Sequence, residues 1–458
     1  MNENESEALG YNRRDFLRGG SVATLMTMLG GVELFAQTNA VPAGETKVSP
    51  VVKIKVAVIG LGAWGREIIN TLARVPQAEI AAICDTYPAS LKRTASAAPG
   101  AVQTADYKTI LDDKDIKAVI VATPTFQHKE VVLAALKAGK HVYCEAPLAG
   151  SIEDAREIAL AAKAAKQVIF QTGLQMRSDP QRRFLLPFIR SGALGKTVQA
   201  RAQWHKKTSW RSASPNPERE KALNWRLSSA TSLGLIGEIG SHQIDQAGWF
   251  MNTLPKAVTG FGSVMFWKDD RDVPDTVQAV LEFPGGVQMI YDATLVNSFD
   301  GEYEMLYGSD AAVMMRENKA WMFKEVDSPL LGWEVYAAKT TFYKDTGIAL
   351  VAGASKPPPV DAQGNPVQPD PLTTSALFSA LGNFLRNATD LGAAAEDYKS
   401  SYGVEDVDGL MEHLAKVPRR AAAGYLEGFQ AAVTAVKANE AILGAKRIEL
   451  KPEWYELS

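Results

Sequence analysis

Two rhythms of apolar residues divide the chain. From Lys53 to Gly173, short apolar runs alternate with segments whose apolar positions recur at helical intervals. "KIKVAVI" (Lys53 to Ile59), "EIAAIC" (Glu79 to Cys84), "KAVIVA" (Lys117 to Ala122), "HVYC" (His141 to Cys144) and "QVIFQTG" (Gln167 to Gly173) read as strands. Trp64 to Ala73, His128 to Ala138 and Ser151 to Lys166 read as helices. Gly139 stops the second, and Ser151 caps the third with Asp154 in its first turn. Such alternation predicts a Rossmann-type, doubly wound parallel sheet, with ligands beyond the carboxyl ends of its strands.

After Gly195 the period changes to two. "TVQARAQW" (Thr197 to Trp204), "TVQAVLEF" (Thr276 to Phe283), "GVQMIYDATL" (Gly286 to Leu295) and "YEMLYG" (Tyr303 to Gly308) alternate apolar and polar positions. They predict antiparallel strands with one covered face, and Pro284 to Gly286 a hairpin turn. Gly234 to Phe250 reads as a single helix before that sheet, Lys356 to Pro371 as a surface loop, and Thr373 to Ala388 and Arg420 to Leu443 as closing helices. The fold class is therefore α/β plus α+β: a Rossmann domain at 53–175, then an open, mostly antiparallel sheet domain for substrate and oligomerisation at 176–445. Residues 446–458 read as a C-terminal tail, and 41–52, in a Pro-, Gly- and Thr-rich stretch, as a linker arm.

The first forty residues are not expected to join the fold. "NRRDFLRGG" (Asn12 to Gly20) precedes an apolar stretch from Val22 to Leu29 and small residues around Ala36 and Ala40. That stretch is too short for a membrane span, which needs about 20 apolar residues. The order fits a signal peptide at 1–40, and Arg13-Arg14 resembles the twin-arginine signal that exports folded proteins. The expected location is periplasmic or secreted.

Composition narrows the chemistry. In 458 residues, 46% hydrophobic and 22% charged is ordinary for a globular protein, and a net charge of −3 gives no reason to expect nucleic acid or an anionic membrane as partner. No histidine pair has HxxH or HExxH spacing, so no metal is expected. Cys84 and Cys144 end the strands "EIAAIC" and "HVYC", three strand spacings or roughly 14 Å apart in the usual strand order. A disulfide needs Cα atoms within about 7 Å, so both should be free thiols.

Two constellations carry candidate chemistry. "GLGAWG" places Gly60, Gly62 and Gly65 at GxGxxG spacing, with Ala63 and Trp64 opening a helix. The glycines allow a tight turn and close backbone approach, and the helix N-terminus offers N–H groups to a pyrophosphate. Asp85 ends the next strand about 20 residues on, as a dinucleotide fingerprint requires. An acid there can bond ribose hydroxyls and would repel a 2′-phosphate, which favours NAD; Lys92 and Arg93 leave NADP open. Thr123 and Glu145 also sit at strand ends, and His128 at a helix start reads as a positioning residue or a ribose contact. The second constellation is Glu238, His242 and Asp245 at i, i+4 and i+7 of one helix. A carboxylate one turn from an imidazole can orient it and raise its pKa, which suits a general base.

These segments identify the chain as similar to the glucose–fructose oxidoreductase/inositol dehydrogenase (Gfo/Idh/MocA) family. "VAVIGLGAWG", "VIVATPTFQHKEVVLAALKAGKHVYCEAPLAG", "GALGK", "NWR", "EIGSHQIDQAGWF" and "DTVQAVLEFPGG" occur in that family's order. The resemblance implies an NAD(P)-dependent enzyme acting on hydroxyls of sugars, cyclitols or related compounds. It puts Thr123, Pro124 and His128 beside the nicotinamide ribose and makes His242 the acid–base residue. Glu145 and Pro147 become the outer positions of the family's Glu-Lys-Pro. Arg177, Trp225 and Arg226 fall at substrate-facing positions. The departure is Ala146, which replaces the lysine that would reach the substrate hydroxyl. Three outcomes follow: an oxidoreductase relying on His242, with Lys206 or Lys207 as a substitute cation; a glycosidase cycling bound NAD⁺ through oxidation, elimination, hydration and reduction; or a non-catalytic carbohydrate binder. A small carbohydrate is the expected ligand, and the sheet's apolar face favours a homo-oligomer.

Overall fold

The short apolar runs of the N-terminal half fold as parallel strands. The computed structural model describes residues 51–330, 339–342, 345–350 and 371–457. Within it β1 (Ile54–Ile59), β2 (Ala78–Cys84), β3 (Val102–Thr104), β4 (Ala118–Val121), β5 (His141–Cys144) and β6 (Phe170–Thr172) order as β3-β2-β1-β4-β5-β6, every pairing parallel. The order reverses between β1 and β4, so the crevice of this sheet opens at their carboxyl ends. β4 is buried at every residue, because helices cover both faces. Ser151 caps the helix Ile152–Ala164 as expected, its hydroxyl accepting from the Asp154 amide at 3.1 Å. Cys84 and Cys144 are free and buried.

The second half forms one ten-stranded sheet. Its strands are β7 (Thr197–His205), β8 (Ala257–Ser263), β9 (Thr276–Glu282), β10 (Gln288–Thr294), β11 (Glu302–Gly308), β12 (Ala311–Arg316), β13 (Lys319–Lys324), β14 (Lys339–Phe342), β15 (Asp345–Ala349) and β16 (Arg447–Glu449). They lie in the order β14-β15-β13-β12-β11-β7-β10-β9-β8-β16, antiparallel except where β7 and β10 run parallel. Pro284–Gly286 makes the turn between β9 and β10, with Gly285 at φ 76°. The helices Gly240–Met251 and Tyr425–Leu443 cover one face, burying Ile244, Phe250, Phe429 and Val433 in the same apolar cluster as Ala202, Leu281 and Met289.

Three features differ from the sequence reading. The expected single helix at Gly234 to Phe250 is two, Gly234–Glu238 and Gly240–Met251, broken at Ile239 (φ −120°, ψ −56°). The break lets Gly240 lie against Tyr291, where a Cβ would sit 2.8 Å from the ring Cζ. The expected tail is part of the sheet: β16 pairs with β8, and buried Tyr455 meets the Thr434 hydroxyl at 3.0 Å. The helix Ala376–Tyr402 packs on the Rossmann core and not on the second sheet, since Leu377, Leu381, Phe384 and Leu385 join Val56, Val58, Ile120 and Tyr143 in one cluster. The expected signal at 1–40, the arm to residue 50 and loop residues 356–370 lie outside the described residues.

Candidate functional site

The turn after β1 has the shape its glycines foretold. Gly60 adopts φ +97°, and a Cβ there would meet Ala122 O at 2.5 Å. A Cβ on Gly65 would meet Gly60 O at 2.0 Å, so the turn and the helix Ala63–Leu72 touch backbone to backbone. At Gly62 a Cβ would meet nothing within 4 Å. Gly62 thus faces open space at a helix N-terminus, as close approach by a pyrophosphate requires. Asp85 accepts from the Leu61 amide through Oδ2 (2.8 Å) and from the Tyr87 amide through Oδ1 (2.7 Å), which fixes the carboxylate against the turn. Arg93 lies over the Tyr87 ring at 5.9 Å.

The ends of β4 and β5 leave polar atoms unsatisfied. Thr123 Oγ1 and Glu145 Oε1 are buried without a hydrogen-bond partner, and so is Gln175 Oε1 beyond β6. Buried groups of this kind are normally paired, so three at neighbouring strand ends mark where an absent ligand would supply partners. The glycine turn, Asp85 and these atoms therefore fit a dinucleotide. Burial pushes the Glu145 carboxyl up to about 7, against the lowering effect of the Trp64 indole and the Ala146 amide. His128 clamps two loops, with Nδ1 3.1 Å from Pro147 O and Nε2 3.0 Å from Thr123 O. Burial lowers its pKa. His128 is thus a positioning residue. Pro124 precedes the short Thr125–Gln127 turn, and Pro147 follows a cis peptide bond from Ala146. The Ala146 methyl packs against Leu174, Ala423 and Ala431, so apolar side chains occupy its surroundings.

On the second domain His242 is partly buried, with Nδ1 buried and unpartnered. That leaves Nε2 as the ring nitrogen able to accept a proton. Glu238 does not orient this ring. It is buried (7% exposed) and accepts from Thr125 Oγ1 (3.0 Å), Ser232 Oγ (3.2 Å) and the Leu233 amide (3.2 Å). Burial raises the Glu238 carboxyl, and Arg226 opposes the rise. The expectation that Glu238 would raise the imidazole pKa is accordingly corrected: the helix break turns Glu238 toward Thr125, and burial alone takes His242 down to about 4. Asp245 is also committed elsewhere, in a two-bond pair with Arg177 (Nε–Oδ2 2.9 Å, Nη2–Oδ1 2.9 Å). The same guanidinium lies 5.3 Å over Trp249, so the expected substrate-facing Arg177 braces the His242 helix. Trp225 and Arg226 lie in the turn Trp225–Leu227, Trp225 edge-on to Phe126 at 6.5 Å. Sequence reasoning missed Thr125, Ser232 and Gln175; only Thr125 lay inside a quoted motif. Lys207, considered as a substitute cation, stands 5.4 Å over the Phe266 ring. Among the described residues no group of three or more His, Cys, Asp or Glu is placed to hold a metal ion.

Comparison with known proteins agrees with the two-domain fold. The family description "Oxidoreductase family, NAD-binding Rossmann fold" matches residues 54–173, and "GFO/IDH/MocA C-terminal domain" matches 185–313. An uncharacterized oxidoreductase, YrbE of Bacillus subtilis, is 27% identical over 263 residues, 57% of this chain and 70% of that protein. Levoglucosan dehydrogenase of Pseudarthrobacter phenanthrenivorans is 35% identical over 145 residues, 31% of this chain and 35% of its own. A crystal structure of levoglucosan dehydrogenase with NADH and L-sorbose shares the fold at TM-score 0.64 and 19% identity, covering 87% of this chain and 99% of that one. A glycosyl hydrolase family 109 protein of Shewanella is 27% identical over 219 residues, 44% of this chain and 47% of that protein.

Proposed function

The chain belongs to the Gfo/Idh/MocA family of NAD(P)-dependent oxidoreductases, and we propose that it oxidises or reduces a hydroxyl of a sugar, glycoside or cyclitol, with His242 moving the hydroxyl proton. What supports this reading is a glycine-turn cradle with unpartnered atoms at the strand ends, tied by the Thr125–Glu238 bond to the segment that carries a neutral imidazole at His242. Gly60, Gly62, Gly65 and Asp85 would hold the nucleotide, and Thr123 and Glu145 would satisfy their unpartnered atoms on its nicotinamide end. When bound, NAD supplies the hydride acceptor or donor. His242 then takes the proton at Nε2, and burial keeps the ring unprotonated at neutral pH. Glu238 holds Thr125 against the helix break, and Arg177–Asp245 holds the helix itself. Without a lysine at 146, His242 carries the proton transfer.

Redox-neutral glycoside cleavage is the second reading. It is favoured by Ala146 and by the likeness to the family 109 hydrolase. One experiment separates the two. Nucleotide-loaded protein is offered a panel of sugars, cyclitols and glycosides. A ketone product with matching cofactor reduction is the expected result. Aglycone release without net redox change would transfer the assignment to cleavage, and bound nucleotide with neither activity would leave a carbohydrate-binding protein. We further propose export in folded form through the Arg13-Arg14 signal, and assembly through the outer face of the ten-stranded sheet.

A further inference from the structure

Proton transfer at His242 leaves one well-built feature unused. Arg226 has its Nε buried without a hydrogen-bond partner. Its guanidinium is instead met by ring faces, Trp225 at 4.7 Å and Trp210 at 5.7 Å. The carboxylate that acts on it, Glu238, is already bonded to Thr125, Ser232 and Leu233. A guanidinium stacked this way keeps its N–H edge for a ligand.

The neighbouring faces run both ways from Arg226. Inward, Trp225 meets Phe126, which is 43% exposed and follows Thr125, the residue joined to Glu238. On the other side of the guanidinium, Trp210 is partly buried and has φ +61°, an outlier for a bulky side chain. Such backbone persists only where its surroundings fix it. Here Arg271 donates to Ser209 O on one side, and Arg211 pairs with Asp269 and Glu220 on the other. Three residues before Trp210, Lys207 stands over Phe266, which is 52% exposed. Buried Asp275 holds that tip by accepting from the Met265, Phe266 and Trp267 amides at 2.9, 2.8 and 2.9 Å.

Aromatic faces interleaved with cationic donors suit sugar rings, whose C–H faces pack on aromatics while hydroxyls accept from the donors. Phe126 and Trp225 join Arg226 to the Thr125–Glu238 bond, and Trp210, Lys207 and Phe266 add ring faces and a cation on two segments that Arg211–Asp269 and Arg271–Ser209 tie together. We infer that Trp210, Arg226, Lys207 and Phe266 form a subsite for a second sugar unit, so that disaccharides and longer glycosides are preferred over single sugars. This rests on the reading above that the ligand is a carbohydrate.

The test is calorimetry on NAD-loaded protein. Methyl glucosides and galactosides are compared with cellobiose, maltose, lactose and melibiose. At least one disaccharide should bind about tenfold more tightly than the matching methyl glycoside, a gain of the size expected from one stacked ring and its hydrogen bonds. Trp210→Ala and Phe266→Ala should remove that gain and leave methyl glycoside affinity unchanged. Phe266 is exposed at a loop tip, so its variant decides the matter if Trp210→Ala fails to fold. Equal affinity within every pair, or equal weakening of both ligands by the variants, would overturn the subsite and leave the proposed activity standing. Binding of no sugar would overturn both.

Discussion

The two walls of the cleft are built from different kinds of contact. On the nucleotide wall, Asp85 bonds main-chain amides at sequence separations of 24 and 2, and the glycines meet backbone. On the His242 wall, Glu238 reaches Thr125 across 113 residues and Arg177 reaches Asp245 across 68. The first wall is set within the Rossmann sheet, by the turn after β1 and the neighbouring end of β4. The second draws on distant segments, and its Glu238–Thr125 bond exists only after both domains have folded against each other. Binding of nucleotide and movement of a proton should therefore be separable by mutation.

The sharpest break is at His242. His242→Ala should lower kcat by about 10²–10⁴-fold, the usual contribution of an acid–base group, and leave nucleotide affinity unchanged by titration. The wild-type profile should sharpen the same point. A base acts only when neutral, and burial takes this imidazole from its ordinary 6.5 to about 4. Activity should thus hold as pH falls through 6 and decline only near 4. A decline centred near 6.5 would mean that the ring is not buried in the working enzyme.

The next effect belongs to the other wall. A Cβ on Gly65 would overlap Gly60 O at 2.0 Å, a contact with backbone that cannot rotate away. Gly65→Ala should cost about 1–3 kcal/mol of stability, as overpacking does, read as a lowered Tm. Nucleotide affinity should fall with it. If the two walls are independent, the residual activity at saturating nucleotide keeps the wild-type pH profile.

What could be read in advance divides along the same line. The glycine turn, Asp85, the alternation of strands and helices and the hairpin at Pro284–Gly286 follow from residues close in sequence, so periodicity and spacing expose them. The face shared by Glu238, His242 and Asp245 assumed an unbroken helix. The local signal for the break at Ile239, Gly237 and Gly240 on either side of it, is weak, and the close approach of Gly240 to Tyr291 involves another strand. The C-terminal strand β16 is only Arg447–Glu449, too short to carry a pattern of its own. Its pairing is decided by the exposed edge of β8. Ala146 was legible as a departure, but the Leu174, Ala423 and Ala431 side chains that surround it come from distant segments.

Glu238 tests whether the far-reaching contacts matter. Glu238→Ala removes the acceptor for Thr125 and Ser232 and leaves buried hydroxyls unpaired, a loss of about 1–3 kcal/mol for such groups. Stability and kcat should both drop. Glu238→Gln keeps an acceptor and should recover most of the loss. Because Glu238 does not bond the imidazole, neither variant should move the acid limb near pH 4 set by His242. A limb that moved in Glu238→Gln would show the carboxylate acting on the ring after all.

The smallest effect lies where the walls meet. Burial holds the Glu145 carboxyl near 7, so it gains charge across the range in which such an enzyme is assayed. An oxidised nicotinamide ring is cationic and favours a carboxylate beside it, whereas the reduced ring is neutral. NAD⁺ affinity should therefore rise as pH increases through 7, by less than about tenfold given the exchange of solvent for one partner. NADH affinity should stay nearly level. Glu145→Gln cannot ionise, so its NAD⁺ affinity should be flat with pH. Titrations of both nucleotides from pH 6 to 8 would decide it. A slope that persisted in Glu145→Gln would assign the titration to another group at the strand ends and take Glu145 out of the nucleotide wall.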